Sequence, residues 1–216
     1  MRSSPGGTRV FRGAVVSVDP TGPFSRPVVF QYNPDQVTRK ILPRGQHGPQ
    51  AVAPADAGRV HGAPIETVSL TIDIDATDQL ERGNVVAATT GIAPQLAALE
   101  GLLHPGTASA IQNAALLLAG TIEVLPPEAP LTLLVWGPGR AVPIRIESLN
   151  VNEQAFDPLL FPTRATVELT AQVLSYNDLP IGHPGYALYL VHQVMKETLA
   201  GAASTAGAAT AGSARS

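Results

Sequence analysis

Cysteine is absent from all 216 positions of this chain. Disulfides, thiolate metal sites and cysteine nucleophiles are thereby excluded. Charge is scarce: Asp, Glu, Lys and Arg make up 14% of the residues, against about 25% in ordinary soluble proteins. A surface so poorly covered by charge is suited to contact with other protein. Lysine is nearly missing, with 2 Lys against 12 Arg, a bias that reads as genomic composition. No apolar run reaches the length of a membrane span. The segment Met1–Gly7 is polar and unlike a signal peptide, so the expectation is synthesis and folding in the cytoplasm.

Several signatures are also missing. There is no HExxH and no His pair at helical ligand spacing. His47, His61, His104, His183 and His192 are scattered, which predicts surface or loop positions. There is no GxSxG elbow, no GxxxxGK[ST] and no GxGxxG. Gly137-Pro138-Gly139 lacks a following helix and reads as a hairpin turn. Asp73, Asp75 and Asp78 form the one carboxylate cluster. Asp73 and Asp75 share a strand face where a hard cation would fit, but the Gly and distal Glu of a calcium loop are lacking. Glu147 and Glu153 are acid/base candidates that nothing in the sequence brings together. Leu188, Val191 and Met195 form a stripe typical of core or interface. The expectation is no catalytic residue, no metal and no cofactor.

The net charge of −3 argues against nucleic-acid binding. Its distribution is uneven. Residues 1–60 hold eight Arg/Lys and three Asp; residues 61–160 hold three Arg and eleven Asp/Glu. These halves are suited to meet within the fold or between subunits.

What is present is mostly strand. Residues 9–18 and 26–32 are rich in Val and Phe and bounded by turn residues. Residues 65–75 alternate: Val68, Leu70, Ile72 and Ile74 on one face, Thr67, Ser69, Thr71 and Asp73 on the other. Residues 121–125, 131–136 and 141–151 are further strands. Residues 163–175 alternate again, with Ala165, Val167, Leu169, Ala171 and Val173 opposite Thr166, Glu168, Thr170 and Gln172. Residues 94–103 and 107–119 predict a helical hairpin inserted between strands, and residues 186–199 a late helix. Lys40–Pro64 loses all periodicity and predicts a long loop. Residues 201–216 are nearly all Ala, Gly, Ser and Thr and predict a disordered tail. The fold class is α+β, mainly antiparallel β. The organisation is a flexible 1–8, a domain over 9–182 with the 40–64 loop and the 94–119 helical insertion, a C-terminal helix over 183–200, and a 201–216 tail. The strands at 65–75, 141–151 and 163–175 carry few of the charges or prolines that protect free edges, so their edges are expected to pair with another chain.

A resemblance rests on several segments in order: VVFQYNPDQVTR at Val28–Arg39, PIETVSLTIDIDATDQLE at Pro64–Glu81, PQLAALE at Pro94–Glu100, APLTLLVW at Ala129–Trp136, NEQAFDP at Asn152–Pro158, and VLSYNDLP within Arg164–Pro180. Over roughly residues 10–190 the chain resembles tube-domain proteins of contractile injection systems, the phage-tail-like particles of the antifeeding-prophage type. The resemblance implies a phage-tail-tube-like β-sandwich or barrel with a flanking helix. It implies a hexameric ring whose sheets join into one inner barrel at the tube/baseplate junction, between hub-spike and inner tube. The implied partners are copies of the chain, the hub-spike and inner-tube proteins, with the baseplate wedge a further candidate; neither nucleic acid nor membrane is among them. Thr67, Ser69, Thr71, Thr166, Thr170 and Gln172 become candidate inter-subunit or lumen-facing positions. The LysM-like domain of many members has no counterpart after residue 180, so peptidoglycan binding is not implied. Alternatives are a tail terminator or sheath adaptor and, from a different class, a small-ligand-binding β-barrel or a hydrolase.

Overall fold

The computed structural model describes residues 11–18, 26–30, 33–44, 61–77, 80, 85–104, 107–118, 120 and 130–213. Among the described residues seven strands are formed: β1 (Ala14–Val18), β2 (Arg26–Val29), β3 (Val37–Leu42), β4 (Ile65–Asp75), β5 (Leu131–Val135), β6 (Ala141–Phe156) and β7 (Pro162–Val173). The helices are α1 (Val85–Thr90), α2 (Ala93–Glu100), α3 (Thr107–Leu118) and α4 (Pro184–Ser213). The strands make one open antiparallel sheet in the order β2-β1-β5-β6-β7-β4-β3. The fold is therefore α+β and mainly antiparallel β. The described strands form a single sheet with two ends, β2 and β3.

The spine of the sheet is β6, β7 and β4. Strand β7 alternates as expected, with Ala165, Val167, Leu169, Ala171 and Val173 buried. Its partner β4 buries Val68, Leu70, Ile72 and Ile74 on the same side. In β6 the inward positions change parity. Ile144 and Ile146 lie opposite Val173 and Ala171, whereas Leu149 and Val151 lie opposite Leu169 and Val167. The change occurs at a bulge between Ile146 and Ser148, where Glu147 is the extra residue. One inserted residue reverses the two-residue phase, so the strand keeps one face apolar from Val142 to Val151; Glu153 is the next residue on that face.

The apolar face is covered at one end by α2. Pro94 lies in its first turn, and Ile92, Leu96 and Leu99 are buried in the sheet core. Gly91 makes this approach possible. Its φ is +55°, and a Cβ there would overlap the Pro162 carbonyl oxygen, which accepts a hydrogen bond from Ile92 N at 2.9 Å. At the other end α4 crosses β6, and Tyr189 joins the same core as Val15, Phe30 and Leu134.

Several expectations need correction. Helix α4 does not stop at residue 200 but continues to Ser213, so most of the tail expected to be disordered is helical. The first turns of α4 are docked, which supplies the costly nucleus; adding alanine-rich turns then costs little, because alanine has the best helix propensity. The loop expected from Lys40 begins later, since Lys40 lies within β3; residues 45–60 fall outside the described residues. Strand β3 itself was not foreseen, and neither was α1. The second strand ends at Val29, and β6 runs five residues past its expected end at 151. The expected strand at 121–125 and the segment 1–8 lie outside the described residues. The strands expected to have free edges are interior: β4 lies between β3 and β7, β7 between β4 and β6, and β6 between β7 and β5.

Candidate functional site

The antiparallel register assembles a polar surface on the face opposite the core. Thr67 lies opposite Gln172, Ser69 opposite Thr170, Thr71 opposite Glu168, and Asp73 opposite Thr166. After the bulge, β6 adds Ser148 beside Thr170, Asn150 beside Glu168 and Asn152 beside Thr166; before it, Arg145 lies beside Gln172. Strand β3 extends two of these rows with Lys40 opposite Thr67 and Thr38 opposite Ser69. All six candidates, Thr67, Ser69, Thr71, Thr166, Thr170 and Gln172, thus share one surface.

Side chains in these rows bond to one another. Arg145 donates to Gln172 Oε1 at 2.6 Å, and the Ser69 and Thr170 hydroxyls are 3.2 Å apart. Asn150 donates to Glu168 at 3.2 Å, and the Thr166 hydroxyl to Asp73 at 3.0 Å. Such cross-strand ladders hold side chains upright and stabilise the sheet by tenths of a kcal/mol to about 1 kcal/mol per pair. The surface is rich in Ser, Thr, Asn and Gln. It carries charges of both signs.

Two strands of this surface are only half covered. Beyond Leu70, the described residues pair β4 with β7 alone, because β3 ends its pairing there. Beyond Ile144, β6 likewise has β7 as its one described neighbour. The outer backbone edges of Thr71–Asp75 and of residues 145–156 flank the polar rows.

Beneath the sheet lies a charged cluster that the sequence reading did not single out. Glu66 continues the inward series of Val68 and Leu70, and its side chain is 4% exposed. Arg39 of β3 contacts its Oε1 at 2.5 Å, and Lys196 of α4 its Oε2 at 3.2 Å. Burial pushes the Glu66 carboxyl up, but the hydrogen bond to Arg39 and the charges of Lys196 and Arg39 outweigh this and leave it below its ordinary value. One turn earlier on α4, His192 is buried edge-on against Trp136, with ring centroids 6.2 Å apart. Neither ring nitrogen has a well-formed hydrogen bond among the described residues. Burial, and then the Lys196 charge, lower the His192 pKa; the nearby Gly139 backbone and Glu66 oppose them.

The SYND part of the last resemblance segment has a clear structural task. Asp178 accepts from Ser175 N at 2.9 Å and from the Ser175 hydroxyl, and Arg44 bonds both its oxygens at 2.9 and 3.1 Å. Asn177 Oδ1 accepts from Ala63 N at 2.8 Å, and Arg44 Nε donates to Ala63 O at 3.1 Å. The two sides of the 45–60 segment are thereby clamped to the turn after β7. Burial raises the Asp178 pKa, while bonds from Ser175 and Arg44 bring it below its ordinary value.

The remaining candidates are dispersed. Asp75 bonds Thr77 and Arg164, the latter at 2.8 Å, and Asp78 lies outside the described residues. Glu147 occupies the bulge and Glu153 lies about 20 Å further along the strand at the ordinary rise. That separation is too large for a concerted acid/base pair. His61 and His104 are exposed, and His183 Nδ1 accepts from Gly185 N at 3.1 Å where α4 begins. His192 departs from its expected surface position because it lies on the docked side of α4. Of the expected stripe, Leu188 is half-buried, Val191 is exposed, and Met195 packs over Gly139. Among the described residues, no group of three or more His, Asp or Glu is placed to hold a metal ion, and no helix is long and apolar enough to cross a membrane.

No protein-family model matches this chain, and no curated protein does.

Proposed function

We propose that the chain is a structural subunit of a contractile injection system, forming a ring at the junction of tube and baseplate between hub-spike and inner tube. The observation that carries this reading is the polar, side-chain-laddered face of β4, β7 and β6, flanked by two half-strands whose outer edges have no strand partner among the described residues. A strand edge left open on each side of a polar face is suited to continue into the same face of another copy. Six copies would then close a barrel whose polar rows line a water-filled lumen and whose apolar face packs under the helices. A heterologous contact of this kind closes into a cyclic ring when the rotation permits. The order of the six sequence segments supports the same family.

The test is native mass spectrometry and electron cryomicroscopy of the protein assembled on its hub-spike partner. A ring mass, with the polar face on the lumen, is expected. A monomer that fails to self-associate even on the hub would refute the proposal and favour the ligand-binding class. Density for this chain at the far end of the tube, or against the sheath, would move it to the terminator or sheath-adaptor role.

A further inference from the structure

Helix α4 is held to the domain in two stages. Its first turns are anchored by aromatic contacts: Tyr189 is buried, and Tyr176 after β7 meets the rings of Tyr186 and Tyr189 at 6.4 and 5.8 Å. One turn on, a second set of contacts holds the middle of the helix to the turn between β5 and β6 and to β4. His192 lies edge-on to Trp136, Met195 packs over Gly139, and Lys196 reaches Glu66 at 3.2 Å. These three residues stand at i, i+3 and i+4, so they share one helix face. Beyond them the side chains of residues 197–200 are exposed, and the helix runs on to Ser213.

The second set of contacts favours one protonation state. His192 is 6% exposed, and neither ring nitrogen has a well-formed hydrogen bond among the described residues. A second proton would make both nitrogens donors and give the buried ring a full charge. The surroundings are already cationic. Lys196 of α4, Arg39 of β3 and Glu66 of β4 act on the ring, and Arg140 of the β5–β6 turn stands 5.2 Å over Trp136. Tyr189, on the same helix, stays neutral because burial raises its pKa. The neighbourhood thus holds three cations and one carboxylate, and both oxygens of that carboxylate are already bonded, to Arg39 and to Lys196. The Gly139 backbone favours the charged ring, but without a well-formed hydrogen bond. An imidazolium here costs more than the neutral ring, and the cost is relieved when the ring reaches water.

We propose that His192 is a proton-operated latch: when its ring takes up a second proton, α4 from residue 192 onward leaves the β5–β6 turn, while the tyrosine-anchored first turns and the sheet stay in place. A released ring has the ordinary value of 6.5 and the docked ring a lower one, so the latch holds fully above pH 6.5 and weakens as pH falls below it. One proton links the two states, so the ratio of released to docked helix rises by at most about tenfold for each pH unit in that window. The device needs only this chain and is independent of ring assembly.

Native-state hydrogen exchange of the full-length chain, read by mass spectrometry from about pH 7.5 to about pH 5, tests the latch. That range stays above the ordinary 4.5 of Glu66. After correction for the intrinsic pH dependence of exchange, the amides of residues 192–200 are expected to open about tenfold more often at the acid end, while those of β7 keep their protection. His192→Phe should hold the α4 amides at their neutral-pH protection throughout. Unchanged α4 exchange in the wild-type chain would overturn the latch. So would an equal rise in β7, which is global unfolding. A rise that persists in His192→Phe would also overturn it, because His61, His104 and His183 remain in that variant. Where the variant does not fold, the comparison of α4 with β7 in the wild-type chain decides alone.

Discussion

Replacing Glu66 by Gln keeps the volume of the side chain and removes the charge that two cations share. The carboxylate is almost fully buried, whereas Arg39 and Lys196 are 27% and 40% exposed. Removing one partner of a fully buried pair costs about 3–5 kcal/mol, because the other charge is stranded. Here both cations still reach water, so the loss is set by the charge-assisted hydrogen bonds, about 1.5–3 kcal/mol in total scale. We expect about 2 kcal/mol, which for a chain of this length lowers the thermal midpoint by about 4–8 °C. The pH dependence is specific to this site. The folded-state pKa of Glu66 lies below its ordinary value of 4.5. Its stabilisation is therefore fully present above pH 4.5 and is lost as pH falls through the lower folded value. Urea unfolding of both proteins, followed by circular dichroism from neutral to acid pH, should show the gap between them close in acid. A Gln variant within about 0.5 kcal/mol of wild type at neutral pH would refute the reasoning, since that is the range of an ordinary surface change. A gap that persists unchanged in acid would equally refute it. Adding Lys196→Met to the comparison completes a double-mutant cycle, and direct contact predicts a coupling of about 0.5 kcal/mol or more.

Three further outcomes are expected. His192 titrates below its ordinary 6.5 in the folded chain, so the unfolded chain takes up the proton first and stability declines as pH drops below 6.5; His192→Phe should remove that part of the slope in the same unfolding series. Gly91→Ala should cost about 3 kcal/mol or more, read as a lowered urea midpoint, because a left-handed φ and a backbone overlap with Pro162 act together. Truncation after Ala200 should reduce helical ellipticity while moving the thermal midpoint by less than about 2 °C, since the side chains of Gly201–Ser204 are exposed; a larger fall would mean that the end of α4 packs on the domain.

Much of the sheet was legible because β4 and β7 alternate without interruption. Val68 to Ile74 and Ala165 to Val173 announce both the inner face and, by difference, the polar one. The same rule conceals what does not fit an apolar template. Glu66 stands at an inward position of the β4 series, but a carboxylate there reads as the end of the pattern until Arg39 and Lys196, 27 and 130 residues away, are seen beside it. Strand β3 was missed for a related reason. Arg39 and Lys40 interrupt its apolar run, and charged residues are how edge strands are kept from aggregating. In β6 the change from even to odd inward positions marks a bulge, yet without the partner's register it looks like a strand that loses its pattern after Ile146. Helix α4 shows the reverse error: low complexity suggested disorder, although a nucleated helix needs only good propensity to continue.

The expectation of free edges on the long strands was wrong in its simplest form, and the reason bears on assembly. A strand with few charges or prolines is read alike whether it is central in a sheet or an unprotected edge, because both positions leave the same mark in one strand's sequence. Strand β4 is both at once. It is central up to Leu70, where β3 covers it, and open from Thr71 to Asp75 among the described residues. Strand β6 is central up to Ile144 and, among the described residues, paired only with β7 beyond. On β4 the change from covered to open falls at the row of Glu168, which bonds Asn150, with the Thr166–Asp73 bond in the next row; on β6 it falls earlier, at Arg145 beside Gln172. A three-stranded extension whose outer edges have no partner among the described residues lacks the protection that a shorter sheet would have had. Its length is useful only if something pairs along it, and the open lengths of β4 and β6 are where the ring proposal places the neighbouring copies.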